Sequence, residues 1–169
     1  TLATLPPRER YAGLVEVLKA ALIADPGLLA ELESALEALG GGSAPAELVA
    51  SVVVRAVRIK AAIVSRDERD SGERLLLNLG HTVGHGIEAA AGFGPFSHGE
   101  AVVLGLRAAV VISERLGLPS AVARRIRALL DRFPRPAAPT APRDVVLAAI
   151  GSDKKRASGS LRFVVLDHI

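Results

Sequence analysis

Only one segment of this 169-residue chain has the pattern of a β-strand, and this limits the possible folds more than any other feature. The segment is 161–166, near the C-terminus, and no second strand pattern accompanies it. A single strand cannot satisfy its own backbone hydrogen bonds, so it must form a small hairpin or pair with a partner outside the chain. The rest of the chain has helical spacing, and the sequence therefore predicts a mostly α-helical protein.

Proline and glycine divide the chain into seven predicted helices. Thr4 is expected to cap the first, and Asp25-Pro26 ends it because a residue before proline is pushed out of the α region. Asp25 is then expected to cap the second helix, which ends at Gly40–Gly42. The predicted helices cover 7–24, 26–39, 43 to 64 or 65, 73–91, 100–116, 120–133 and 143–150. Loops are predicted at 66–72, 92–96, 134–142 and 151–160.

Composition excludes several classes of protein. The chain has no cysteine, so a metal site must use His, Asp and Glu. The longest apolar run, 101–112, is too short to span a membrane, and no secretory signal is recognisable, so we expect no membrane partner. A net charge of +3 and 3% aromatic residues do not indicate nucleic-acid binding. Motifs for dinucleotides and for phosphate loops are also missing.

Three of the four histidines fall within eighteen residues, in a glycine-rich segment. His81 and His85 are four residues apart, which places them on one face of a helix, and His98 follows beyond a loop. Glycines at 80, 84 and 86 are unfavourable inside a helix but allow a ligand or another backbone to approach closely. The pattern indicates a shared metal or anion site.

Charged residues near the histidine segment complete the candidate site. Glu16 stands in an apolar run, so it is either a metal ligand or the partner of Lys19, three residues on; spacing leaves these two alternatives open. Basic side chains would suit a substrate that carries phosphate or carboxylate. Glu88 and Glu100 are the other candidate carboxylates, and the candidate cations are Lys60, Arg74, Lys154 and Lys155.

The chain resembles, in order along most of its length, the C-terminal domain of the 3-dehydroquinate synthases. The most specific match is 74–85, Arg-Leu-Leu-Leu-Asn-Leu-Gly-His-Thr-Val-Gly-His, followed by His-Gly-Glu-Ala-Val at 98–102. The segments 5–9, 13–19, 58–61, 67–68, 153–155 and the final strand also resemble the family. The whole of 1–169 is thus expected to be one helical domain of the dehydroquinate synthase-like fold.

The resemblance implies a role for each candidate residue. Glu16, His81 and His98 would hold a divalent metal, Zn²⁺ or Co²⁺. Lys19, Lys60, Arg74, Asn78 and His85 would be the catalytic and substrate-binding groups, together with Lys154 or Lys155.

The family converts 3-deoxy-D-arabino-heptulosonate 7-phosphate to 3-dehydroquinate and phosphate in the shikimate pathway, a lyase reaction. Bound NAD oxidises a substrate hydroxyl and later reduces the ketone, so NAD acts as a catalyst. The resemblance implies that a separate N-terminal α/β domain, expected to precede Thr1, binds NAD. This chain alone is therefore expected to be inactive. A cytoplasmic homodimer is also implied.

Three relatives and one unrelated class are the alternatives. A 2-deoxy-scyllo-inosose synthase would tend to carry Glu in place of Asn78, and His85 disfavours a valiolone-type cyclase. A glycerol dehydrogenase-like enzyme should lack the cluster of Lys and Arg that a phosphate needs. A non-catalytic helical interaction domain should bind neither a metal nor an anionic sugar.

Overall fold

The computed structural model describes residues 2–69, 72–92, 96–134, 141–156 and 162–168, except the side chains of Ala3 and 153–156. These residues form helices and no strand, which confirms the predicted fold class. None of the described helices is long and apolar enough to cross a membrane. The α-helices are α1 Pro7–Ala24, α2 Pro26–Gly41, α3 Ala46–Arg66, α4 His81–Ala90, α5 His98–Arg115, α6 Ser120–Asp131 and α7 Arg143–Arg156, and the short 3-10 helices are Leu2–Thr4 and Glu73–Asn78.

The chain divides into two compact units. Unit 1 contains residues up to Leu77 and the segment 131–134, and unit 2 contains 78–130 and the described residues from 141 to 168. In unit 1, α1 packs against α2 and α3 around leucine side chains from the first two helices, and Phe133 lies edge-on to Tyr11 with 6.0 Å between ring centroids. In unit 2, α4 packs against α5 and α7.

Asp25 begins α2, as predicted. Its Oδ1 accepts a hydrogen bond from the Leu28 backbone N–H at 2.9 Å, which satisfies one donor of the first turn. The predicted cap of α1 is wrong, because Thr4 belongs to the preceding 3-10 helix and the residue before α1 is Pro6. Pro6 offers no capping side chain, and its extended backbone (φ −59°, ψ 152°) starts the helix instead.

Asp25 also joins α2 to α3. Arg55 of α3 donates to both Asp25 carboxylate oxygens, at 2.7 and 3.0 Å, and to Glu31 Oε2 at 2.8 Å. The hydrogen bonds from Arg55 hold the pKa of Asp25 below its usual range, with a further contribution from the Leu28 N–H. One carboxylate thus stabilises a helix start and a helix pair.

We expect Asp25→Ala to destabilise unit 1 more than Asp25→Asn. Alanine removes both the cap and the ion pair, together about 2 kcal/mol, whereas asparagine keeps a capping oxygen. Because folding lowers the pKa of Asp25, its stabilisation is present above the unfolded value of 3.8 and is lost as the pH falls through the folded value. Urea unfolding at pH 7 and pH 3 measures both effects. Equal stability of the two variants at pH 7 would contradict the capping role.

The predicted helix over 73–91 is two elements. A 3-10 helix ends at Asn78, Gly80 takes a left-handed conformation with φ +77°, and α4 begins at His81. A left-handed residue cannot continue a helix, so Asn78 does not share a helical face with His81 and His85, as one continuous helix over 73–91 would require. The other helix ends shift by a few residues, and α7 continues to Arg156, beyond the predicted end at residue 150.

The helices α4 and α5 approach each other through glycines. A Cβ atom at Gly105 would lie 1.8 Å from the carbonyl oxygen of Gly80, and one at Gly84 would lie 3.1 Å from that of Ala101. The two backbones are therefore in direct contact. This crossing sets the distance between the first turns of the two helices.

The predicted C-terminal strand is absent from the described residues 162–168. That segment lies along unit 2, where side-chain hydroxyls replace a second strand as hydrogen-bond partners. Ser113 Oγ accepts from the Leu166 backbone N–H at 2.9 Å, and Thr82 Oγ1 donates to the Arg162 carbonyl at 3.3 Å. Leu166 is buried in this contact. Leu161 and most of the predicted connector 134–142 lie outside the described residues.

Candidate metal and anion site

The three clustered histidines meet in unit 2. Their ring centroids are 5.2 Å apart for His81 and His85, 5.2 Å for His81 and His98, and 5.8 Å for His85 and His98. His81 is half-buried, whereas His85 and His98 are exposed. The fold thus brings His98, the first residue of α5, to the two histidines of α4, as the sequence pattern indicates.

Two helix starts position this cluster. His81 is the first residue of α4, directly after the left-handed Gly80. His98 is the first residue of α5, which begins with a capping box: Ser97 N donates to Glu100 Oε2 at 2.7 Å, and Glu100 N donates to Ser97 Oγ at 3.3 Å. Glu100, a candidate metal carboxylate from the sequence, therefore caps α5 instead. The motif Ser-x-x-Glu at 97–100 carries this signal in the sequence.

Two of the rings are fixed by acceptors at Nδ1. The Leu79 carbonyl lies 3.1 Å from His81 Nδ1, and Glu88 Oε2 lies 3.4 Å from His98 Nδ1. A carbonyl or a carboxylate oxygen accepts hydrogen bonds, so each contact is a hydrogen bond only in the tautomer that carries its proton on Nδ1. In a neutral imidazole this leaves Nε2 with a free lone pair, which is the form that binds a metal.

The donor chemistry of unit 2 fits a divalent metal such as zinc. His85, Glu88 and His98 each offer one ligand atom, and these three atoms lie within 4.8 Å of one another. Imidazole nitrogen and carboxylate oxygen are ligands that zinc accepts, and a catalytic zinc needs three of them. The first turns of α4 and α5 lie at the same cluster, and helix N-termini favour anions.

Four other predicted site residues lie in unit 1. Lys19 is buried, with 6% of its surface exposed, and its Nζ lies 2.6 Å from Glu16 Oε2. Burial lowers the pKa of Lys19, Glu16 opposes this effect, and the positive charge of Lys60 adds to it. The Glu16–Lys19 pair, one of the two alternatives from spacing, is therefore formed, and because it uses the carboxylate oxygen Oε2, it does not exclude the other alternative. Lys60 is exposed on α3.

Arg74 is held by a carboxylate that the sequence analysis did not single out. Asp67 Oδ2 accepts from the backbone N–H groups of Gly72 and Arg74, at 2.7 and 3.0 Å. The Arg74 side chain then donates to the Glu68 carbonyl at 3.1 Å. The position of Asp67 directly after a helix, in a polar turn, is typical of an aspartate that binds nearby backbone N–H groups.

The remaining predicted residues divide between the described and undescribed parts. Asn78 is half-buried at the end of its 3-10 helix and lines a small cavity with Thr82 and Phe163. The side chains of Lys154 and Lys155 lie outside the described residues, although α7 includes their backbone.

Sequence comparison identifies relatives for most of the chain. The family described as 3-dehydroquinate synthase C-terminal matches residues 13–156. The 3-dehydroquinate synthase of Acinetobacter baylyi is 44% identical over 170 residues, which is 99% of this chain and 46% of that relative. The enzyme of Rhodospirillum rubrum is 46% identical over 173 residues, 97% of this chain and 44% of the relative. The chain thus spans a little under half the length of these curated relatives.

Two solved structures have similar folds. The 2-epi-5-epi-valiolone synthase of Streptomyces hygroscopicus, with NAD⁺ and Zn²⁺ bound, matches with a TM-score of 0.85 and 27% identity over 98% of this chain and 46% of that one. A 2-deoxy-scyllo-inosose synthase, in complex with carbaglucose-6-phosphate, NAD⁺ and Co²⁺, matches with a TM-score of 0.76 and 24% identity, over 98% and 45% of the two chains. At that identity the second match shows the fold alone.

Proposed function

The chain belongs to the 3-dehydroquinate synthase C-terminal family, and from this premise we propose that it is the metal- and substrate-binding half of such an enzyme. Together with an NAD-binding half, it would convert 3-deoxy-D-arabino-heptulosonate 7-phosphate to 3-dehydroquinate and phosphate. The observation that carries the proposal is the identity of 40–46% to enzymes of this name over nearly the whole chain. The histidine cluster supplies independent chemical support.

The proposed metal ligands are His81, His98 and Glu16. For the two histidines the support is local, because an acceptor at Nδ1 leaves Nε2 for a metal on each ring. Glu16 follows from the family resemblance and supplies the carboxylate that two neutral imidazoles lack. A bound divalent ion would lower the pKa of substrate hydroxyls and polarise the carbonyl.

The proposed anion-binding groups are Lys19, Lys60, Arg74 and His85, with Asn78 as a neutral hydrogen-bond partner. Burial of Lys19 beside Glu16 fixes a cation in place, and Asp67 fixes the backbone of Arg74. Cations held in position before the substrate binds can stabilise a leaving phosphate without reorganising. Lys154 or Lys155 completes the proposed set.

The proposed cofactors are Zn²⁺ or Co²⁺ and NAD. The solved neighbours contain NAD⁺ with one or the other metal. NAD would transfer hydride from and back to the substrate. The described chain offers the metal and anion groups, so we assign NAD mainly to the other half of the enzyme. A homodimer and a cytoplasmic location are further expectations that rest on the resemblance.

Phosphate release tests this function directly. We expect the chain joined to an NAD-binding half to release phosphate from the heptulosonate phosphate in the presence of NAD and zinc, and the chain alone to release none. The comparison substrate in this assay is glucose 6-phosphate, the hexose phosphate of which carbaglucose-6-phosphate, the ligand in the solved 2-deoxy-scyllo-inosose synthase complex, is a carbocyclic analogue. Faster phosphate release from the hexose phosphate would contradict the proposed substrate. Turnover by the isolated chain would show that the chain needs no second half.

The relatives favour this function over those of the other cyclases. Identity to the valiolone synthase is 27%, well below the 44% to a 3-dehydroquinate synthase. Asn78 and His85 also match the pattern of the 3-dehydroquinate synthases. Nothing specific favours a non-catalytic interaction domain over these observations.

A further inference from the structure

Glu88 is a shielded carboxylate with no role in the proposed site so far. It lies on α4, seven residues after His81, and 14% of its side chain is exposed, against 49% for His98. In the described part of the chain, His98 is the one polar partner of this carboxylate, with Oε2 3.4 Å from Nδ1. Removing a carboxylate from water is unfavourable unless a partner compensates.

We propose that Glu88 is a positioning residue for the metal. Its carboxylate accepts the Nδ1–H of His98 and fixes that tautomer, in which Nε2 of His98 is the nitrogen that would bind a metal. This inference rests on the proposed function, because it takes His98 as a metal ligand. Glu88 itself does not touch the metal.

His81 provides an internal comparison. Its Nδ1 faces the Leu79 carbonyl at 3.1 Å, so both proposed histidine ligands have an acceptor on the same ring nitrogen. The acceptors differ in charge, because Glu88 is an anion and the carbonyl is neutral. An anionic partner holds the ring and also increases the basicity of the metal-binding nitrogen. His98, the more exposed of these two ligands, therefore has the stronger support.

The competing role for Glu88 is that of a ligand. Ligand atoms of His85, Glu88 and His98 lie within 4.8 Å of one another, so the three side chains offer enough donors for a metal. The two roles differ in what replaces the carboxylate. A ligand needs the negative oxygen, whereas a positioning residue needs only an acceptor for the His98 Nδ1–H.

The test uses two substitutions in the complete enzyme. Glu88→Gln keeps an acceptor oxygen and removes the charge, and Glu88→Met keeps about the length of the side chain but leaves only a thioether sulfur, which is a weak acceptor. Zinc affinity is measured by competition with a chromophoric chelator. We expect Glu88→Met to weaken zinc binding about 10- to 100-fold, the usual effect of losing such a partner, and Glu88→Gln to retain most of the affinity.

Glu114→Ala is the matched control. Glu114 is also a glutamate of unit 2, but it pairs with Arg127 and lies sixteen residues along α5 from His98, about 24 Å away. We expect its zinc affinity to equal that of the parent. Thermal melting of every variant separates weaker metal binding from loss of folding.

Three results would overturn the inference. Parental zinc affinity in Glu88→Met would show that the contact is not needed. Complete zinc loss in both Glu88 variants, as in His98→Ala, would make Glu88 a ligand. A parent without zinc, or His98→Ala with zinc, would instead refute the proposed metal set, and this failure is distinguishable because Glu88 is intact in both proteins.

Nitrogen-15 chemical shifts of the histidine rings give a second readout that does not need the metal. At a pH where histidine is neutral, we expect the parent to hold His98 with its proton on Nδ1, and Glu88→Met to move the proton towards Nε2. A purely structural Glu88 would leave this tautomer unchanged. A parent with the proton on Nε2 of His98 would contradict the proposal.

Discussion

Gly105→Ala is expected to destabilise unit 2 by at least about 3 kcal/mol, at the upper end of the cost of overpacking a core. The added Cβ would lie 1.8 Å from the Gly80 carbonyl oxygen and 2.9 Å from the Gly84 backbone nitrogen. Both are backbone atoms, so no side chain can rotate away, and α4 and α5 must separate. Because the histidines at the starts of these helices depend on that contact, zinc binding should also be lost.

Gly13→Ala is the control for this substitution. Gly13 lies in the middle of α1, is exposed, and has no atom within 4 Å of the site of a new Cβ. We expect alanine there to stabilise the helix by about 0.5–1 kcal/mol. Thermal melting followed by circular dichroism compares the two, and hydrogen exchange shows whether the loosened amides are those of α4 and α5. A melting temperature for Gly105→Ala equal to that of the parent would contradict the close crossing.

Proline made the boundaries of α1 and the start of α2 predictable. Pro7 and Pro26 occupy first turns, where a missing N–H costs nothing, so α1 begins and ends at the predicted residues and α2 begins at its predicted one. Asp25 was recognisable as a cap because it directly precedes Pro26, the first residue of α2. Thr4 was misassigned because Pro6, two residues on, already starts α1.

Glycine was less informative, because its role depends on distant contacts. Gly80 breaks the predicted helix over 73–91 only because it is left-handed there, whereas Gly84 and Gly86 lie inside α4. Gly105 is the clearest case, because within α5 it reads only as a residue that lowers helix stability. Its partner, Gly80, is 25 residues earlier, and no local pattern predicts that pairing.

The C-terminal segment has the local sequence pattern of a strand but does not form one in the described residues 162–168. Its nearly continuous apolar run, rich in valine and with one phenylalanine, fits a strand, and a lone strand does need external hydrogen-bond partners. Those partners in the described chain are the hydroxyls of Ser113 and Thr82, so no ladder is required. Serine at position 113, inside an apolar helix, was the available signal.

The residues that cluster at the site were predictable from the sequence, but their individual contacts were less so. Clustering of His81, His85 and His98 follows from spacing plus a loop that can fold back, and the structure confirms it. Which carboxylate contacts a histidine depends on the packing of α4 against α5. Spacing therefore left Glu88 and Glu100 equivalent, although one supports a ring and the other caps a helix.

Removal of single ligands should decide which histidines bind the metal. We expect His98→Ala and Glu16→Ala to lose stoichiometric zinc in the complete enzyme, and His85→Ala to keep it. The reason is that His98, like His81, has an acceptor on Nδ1 and presents Nε2, and a carboxylate with two imidazoles leaves positions open for substrate hydroxyls. His85 is exposed, one turn along α4, and suits an anion.

The same variants also test the role of His85 in binding phosphate. We expect His85→Ala to weaken the binding of inorganic phosphate and of the phosphate-bearing substrate by about 1.5–3 kcal/mol, because a hydrogen bond to a charged group is lost. The zinc content should stay at one ion per chain. Metal analysis by mass spectrometry and calorimetric titration with phosphate measure the two quantities on one preparation. The opposite pattern, zinc lost from His85→Ala and kept in His98→Ala, would assign the metal to the helical pair His81 and His85. That outcome would also contradict the positioning role of Glu88, because a ring that binds no metal needs no fixed tautomer.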